Sequence, residues 1–112
     1  MPTVYVTQIP VHKDKETKAI IPAINISPAN EYGEIKTIFP SRMGIGNMAD
    51  IIHQLKDKLY SYNASKGDTI LPLGDPVLSA VTFSVLSLYN KEYAVLKWDK
   101  KLKKYCKFNV EF

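Results

Sequence analysis

Two sets of residues in this sequence have types and spacings that could do chemistry. The first is Lys97, Lys100, Lys101, Lys103, Lys104 and Lys107, interleaved with Trp98 and Tyr105. Lysine ammonium groups neutralise phosphates, and aromatic rings can stack on bases. The same lysines could dock on an acidic protein surface. The second set is Arg42, Gly44 and Gly46 ahead of Asn47, with Gly74 and Asp75 ahead of Pro76. Backbone N–H groups in such loops can cradle an anion, with Arg42 as counter-charge and Asp75 reaching a ribose hydroxyl or a metal.

Each set also has a plainer use. Asp75 is a good helix N-cap and Pro76 fits a first helical position, where its missing N–H costs nothing. The Arg42–Asn47 stretch is neither a Walker loop nor a full dinucleotide fingerprint. Lysines on an edge strand discourage edge-to-edge pairing.

Other chemistry is poorly supplied. His12 and His53 lack partners at metal-ligand spacing, so no metal site is expected. His53 falls beside the apolar stripe of its helix, where partial burial is expected. Cys106 is the only cysteine, which excludes an internal disulfide and a thiolate metal site built from one chain. It falls mid-strand on an apolar face, and no Gly-x-Ser-x-Gly elbow exists, so no catalytic residues and no cofactor are expected.

The elements that must position these residues follow from local pattern. Val4–Ile9 is β-branched and aromatic and reads as a strand closed by Pro10. Ala19–Ser27 is apolar but interrupted by Pro22, an irregular or edge strand. Ser27–Gly33 is turn chemistry, with Ser27 as cap and Pro28 as first residue of one helical turn. Strand 34–39 ends at Pro40. Asn47 caps a helix over 48–62 that sets Ile51, Ile52, Leu55, Leu59 and Tyr62 on one side. Gly67 suits a left-handed turn. A short strand, 68–73, contains the awkward Pro72. A mostly apolar helix follows over 77–90, then strand 93–98, a lysine-rich loop, and strand 105–112. In that last strand Cys106, Phe108, Val110 and Phe112 share one face, which the alternation predicts to be the buried one.

Strands 34–39, 68–73 and 93–98 with their intervening helices predict an α/β domain spanning 1–112. It has a small Rossmann-like βαβαβ core, an antiparallel C-terminal hairpin strand and an N-terminal edge strand. Ligands of open α/β sheets bind beyond the carboxyl ends of parallel strands. The loops leaving those ends hold Arg42, Gly44 and Gly46, then Gly74 and Asp75, then Lys97, Trp98 and Asp99.

The chain has 112 residues, enough for one core. Its net charge of +4 is local: residues 1–90 balance, and residues 91–112 carry seven lysines against Glu92, Asp99 and Glu111. The N-terminus lacks a signal-peptide pattern, and the apolar stretch Val77–Tyr89 is too short and too polar to span a membrane. A soluble protein in a reducing compartment is expected.

Three stretches together resemble a group of small uncharacterised proteins encoded by tailed bacteriophages. They are Ser27-Pro28-Ala29-Asn30-Glu31-Tyr32-Gly33-Glu34-Ile35, Leu71-Pro72-Leu73-Gly74-Asp75-Pro76, and Leu96-Lys97-Trp98-Asp99 with Tyr105. The resemblance implies a phage product in the host bacterial cytoplasm. The expected function is a non-enzymatic accessory module that binds a host or phage macromolecule through the basic hairpin, an acidic protein ahead of a nucleic acid. One alternative is a small nucleotide- or anion-binding enzyme using the carboxyl-end loops, with Asp99 beside Arg42 and Asp75. Another is a virion or assembly protein that forms a homo-oligomer.

Overall fold

The strand Thr3–Gln8 (β1) carries no charged residue and is buried along almost its whole length. A strand buried on both faces belongs inside a sheet, and there it lies. In the computed structural model, which describes residues 1–112, the main sheet runs β4-β1-β5-β6-β7. Its other members are Glu34–Phe39 (β4), Thr69–Leu71 (β5), Glu92–Asp99 (β6) and Lys104–Glu111 (β7). β1 pairs parallel with both β4 and β5, β5 pairs parallel with β6, and β7 closes the sheet antiparallel to β6.

The α/β class, the parallel core and the antiparallel hairpin are as the sequence predicts. The N-terminal strand is corrected from an edge to an inner position. The edge is instead β4, whose Glu34 and Lys36 are exposed, and charge on an edge strand blunts stray pairing.

Inserting β1 decides which face each connection crosses. From β1 the chain moves one way to β4; from β4 it moves the other way to β5 and β6. Right-handed crossovers running in opposite directions lie on opposite faces. Helices Met48–Lys58 (α1) and Pro76–Tyr89 (α2) accordingly share one face, where Ile51, Leu55, Leu78, Val85 and Leu86 pack on Tyr5, Ile38 and Ile70. The other face is covered by a short 3₁₀ helix, Ser27–Tyr32, whose Ala29 packs with Val4, Val6, Leu71, Leu96 and Tyr105.

Element ends follow local chemistry. Asn47 caps α1, its side chain accepting from Ala49 N and Asp50 N. α1 stops at Lys58, short of the expected Tyr62, and Tyr62 is buried in the turn beyond it. Gly67 takes the left-handed conformation at φ 92°. β5 ends at Leu71, so Pro72 lies outside the ladder and its missing N–H costs nothing. The 3₁₀ helix has no side-chain cap; Ser27 N instead donates to Asn25 Oδ1 in an Asx turn. The stretch expected as an irregular strand over 19–27 contributes only Ile20–Pro22 (β3). This pairs with Val11–Lys13 (β2) in a separate two-stranded ribbon.

β7 departs most from its pattern. Tyr105 is its one buried residue, while Phe108 and Phe112 are 54% and 73% exposed. α2 does not extend over β7, so the apolar face of the strand lies open. Tyr105, on the opposite face, is covered by the 3₁₀ helix, whose Tyr32 Oη donates to Tyr105 O. His53, expected partly buried, is largely exposed and lies 3.7 Å from Asp57 one turn on.

Candidate functional site at the basic hairpin

At the carboxyl ends of β1 and β5 the connections diverge, the position where open α/β sheets hold ligands. Here the crevice is filled by the protein's own Gln8, which is 5% exposed. Gln8 Nε2 donates to Pro40 O at 3.0 Å and Met43 O at 3.1 Å, and Gln8 Oε1 accepts from Asp75 N at 2.9 Å. Gly74, at φ 81°, leaves the room this requires, since a Cβ there would lie 2.5 Å from Gln8 Oε1. Thr7 Oγ1 beside it donates to Leu73 O and accepts from Leu73 N.

The residues named for anion binding divide around this plug. Gln8 holds the Arg42 loop and the Gly74–Asp75 loop side by side. Asp75 Oδ1 is spent on α2, accepting from Val77 N. The first N–H groups of α1 are likewise spent on Asn47. Gly44 and Gly46 have nothing within 4 Å of a hypothetical Cβ, and Arg42 is exposed. Asp99 is not drawn to Asp75: its Oδ1 accepts from Lys101 N at 2.9 Å and Leu102 N at 2.8 Å, which shapes the hairpin turn.

That turn spans Lys100–Lys103, with Lys103 left-handed at φ 53°. Lysines at 100, 101, 103, 104 and 107 and Lys97 on β6 are all exposed. None of them has a carboxylate partner, since His53 with Asp57 is the one acid–base contact within 4.0 Å. The cross-strand register separates them by face. Lys97 stands opposite Cys106 on the helix side, and Lys107 stands opposite Leu96 on the other. Lys97, Lys100 and Lys101 gather around a recess of about 620 Å³ that also takes in Cys106 and Phe108.

Trp98 and Tyr105 face each other across the hairpin, ring centroids 5.1 Å apart and nearly perpendicular. Burial raises the Tyr105 phenol above its ordinary pKa, and Tyr32 shifts the same way, first from burial and then from Glu31 and Cys106. The Trp98 ring stays 40% exposed. It walls a mainly apolar groove of about 630 Å³ whose other sides come from Ile24, Pro28, Pro72, Leu73 and Leu96. The sequence pattern did not point to this groove. Its walls come from four separated segments, and the local signal was slight: Ile24 in a stretch read as an irregular strand, Pro28 in a turn and Leu73 at the end of a short strand.

No helix is long and apolar enough to cross a membrane. A family model described as Phage Pam3 gp32-like protein matches residues 2–112. No curated protein and no solved structure matches the chain.

Proposed function

The chain belongs to the family of Phage Pam3 gp32-like proteins, and from that premise we propose that it is a non-enzymatic binding module acting on an acidic macromolecule inside the infected bacterium. One observation carries this: Lys97 and a half-exposed Trp98 line an apolar groove, and the hairpin that carries them holds five more exposed lysines without carboxylate partners. An apolar groove beside a cationic hairpin suits a protein segment that has an apolar anchor and acidic flanks. The cations are lysines, which act as point charges and not as bidentate forks, so long-range attraction outweighs phosphate geometry. The groove favours a protein over a nucleic acid, because its walls are mostly aliphatic and prolyl, with Trp98 and Tyr105 as the only aromatic rings and Asn25 and Lys97 as the only other polar side chains.

The test is recovery of partners from host lysate. Changing Lys100, Lys101, Lys103 and Lys104 together to Glu should abolish capture, and Trp98→Ala should weaken it with the charges left intact. Recovery unchanged in the fourfold variant overturns the proposal. Capture that nuclease treatment removes replaces the protein partner with a nucleic acid.

A further inference from the structure

β7 is an edge strand, and its free side is available in one stretch. Phe112 N donates to Lys91 O at 3.0 Å. In an antiparallel ladder this assigns the backbone groups of even-numbered β7 residues to β6 and turns those of odd-numbered residues outward. Tyr105 is outward, and its carbonyl is already taken by Tyr32 Oη. The N–H and C=O groups of Lys107, Asn109 and Glu111 remain, with no partner on that side.

These three residues are self-complementary. We propose that β7 pairs antiparallel with β7 of a second copy of this chain, centred on Asn109, to give one continuous sheet across a two-fold dimer. The two-fold places Asn109 against the second copy's Asn109, and Lys107 and Glu111 of each copy against Glu111 and Lys107 of the other. All outward N–H and C=O groups of the three residues are then used. A two-fold through Lys107 would instead set like charges face to face.

Two observations favour the Asn109 register. Within one chain Glu111 stands directly opposite Glu92, and like charges at such positions are destabilising. The second copy's Lys107 on the other flank of Glu111 offsets that repulsion. On the opposite face the register aligns Phe108 with Val110, and Cys106 with Phe112, of the two copies. This covers part of the apolar row that no helix shields, in which Phe108 and Phe112 are 54% and 73% exposed. Lysine on an edge ordinarily guards against pairing; Lys107, with a Glu four residues on, guards against every partner except one that presents the same spacing reversed.

The experiment is sedimentation of the purified full chain over a concentration series. The wild type is expected to reach twice the 12.7 kDa monomer mass. Lys107→Glu and Glu111→Lys should each raise the dimer dissociation constant by about tenfold or more. The two changes together should restore it, which a merely destabilised fold could not do. The Lys100, Lys101, Lys103 and Lys104 reversal should stay dimeric, so failure of this interface and failure of the hairpin proposal are told apart. A wild type that stays monomeric at hundreds of micromolar overturns the proposal. So does a double variant no better than the single ones.

Discussion

The crevice at Gln8 and the hairpin at Trp98 are the two polar regions nearest the carboxyl ends of the sheet, and they are built in opposite ways. Around Gln8 each amide atom has a partner: two carbonyls accept from its Nε2, and one N–H donates to its Oε1. Around Trp98 six lysines have no carboxylate within the chain. Buried polar groups are costly unless satisfied, so a saturated cluster stabilises the fold and has nothing left to offer a ligand. An exposed and unsatisfied cluster contributes little to stability and leaves its charge uncompensated. The position at which open α/β sheets hold their ligands is here a structural joint, and the unpaired cations lie further out, on the β6–β7 hairpin.

That contrast can be broken at its strongest point by Gly74→Ala. The left-handed backbone and the 2.5 Å approach to Gln8 Oε1 should make this change cost about 2–4 kcal/mol of unfolding free energy, read by urea denaturation. A near-neutral result would mean that the crevice has room to spare.

A second saturated cluster, at the amino ends of the strands, sharpens the comparison. Tyr62 Oη donates to Asp68 O at 3.1 Å and accepts from Ala94 N at 3.0 Å, while the Asp68 carboxylate accepts from Thr3 N and Asn63 N. Burial is the main cause that pushes the Tyr62 phenol from 10.0 up to about 12, against the opposing hydrogen bond from Ala94. The folded state therefore holds this proton more tightly than the unfolded chain. The associated stability is complete below pH 10 and is lost as pH rises towards 12. Tyr62→Phe should cost about 1–3 kcal/mol at neutral pH by orphaning Ala94 N–H. It should also lose less of its remaining stability between pH 10 and 12 than the wild type, as measured by thermal melts across that range.

The smallest effects should come from the exposed glycines of the Arg42 loop, beyond the contacts of Gln8. Gly44→Ala and Gly46→Ala meet no atom within 4 Å and should shift stability by no more than about 0.5 kcal/mol. A loss of several kcal/mol at either glycine would show that the Arg42 loop carries a packing role equal to that of Gly74.

Much of this arrangement was legible in the residues. Asp75 with Pro76, Asn47, and the alternation of strands with helices mark element starts by chemistry that acts within a few residues. Pro72 was awkward only while β5 was taken to run to Leu73; the strand stops one residue before it. Strand order is a different matter. β1 goes inside the sheet because Val4 and Val6 pack on one face and Tyr5 on the other, and no local signal states which neighbours supply those faces. The uncharged run Thr3–Gln8, set against Glu34 and Lys36 in β4, was the available hint. β7 misled for a related reason: its alternation is real, but burial depends on what lies above each face, and α2 stops short of it. The lysines were visible as a run, whereas the groove beside them needed four distant segments to meet.

The inner position of β1 also sets the order in which the molecule can be completed. Its partners follow it far along the chain, with Thr3 N bonded to a side chain 65 residues away. During synthesis β1 leaves the ribosome well before either flanking strand exists. It first gains β4, across the 3₁₀ face, and must keep its other edge unpaired until β5 emerges. Closing such long loops precedes the contacts that reward it. Until β5 reaches the open side of β1, Gln8 cannot be locked between the Met43 and Asp75 loops.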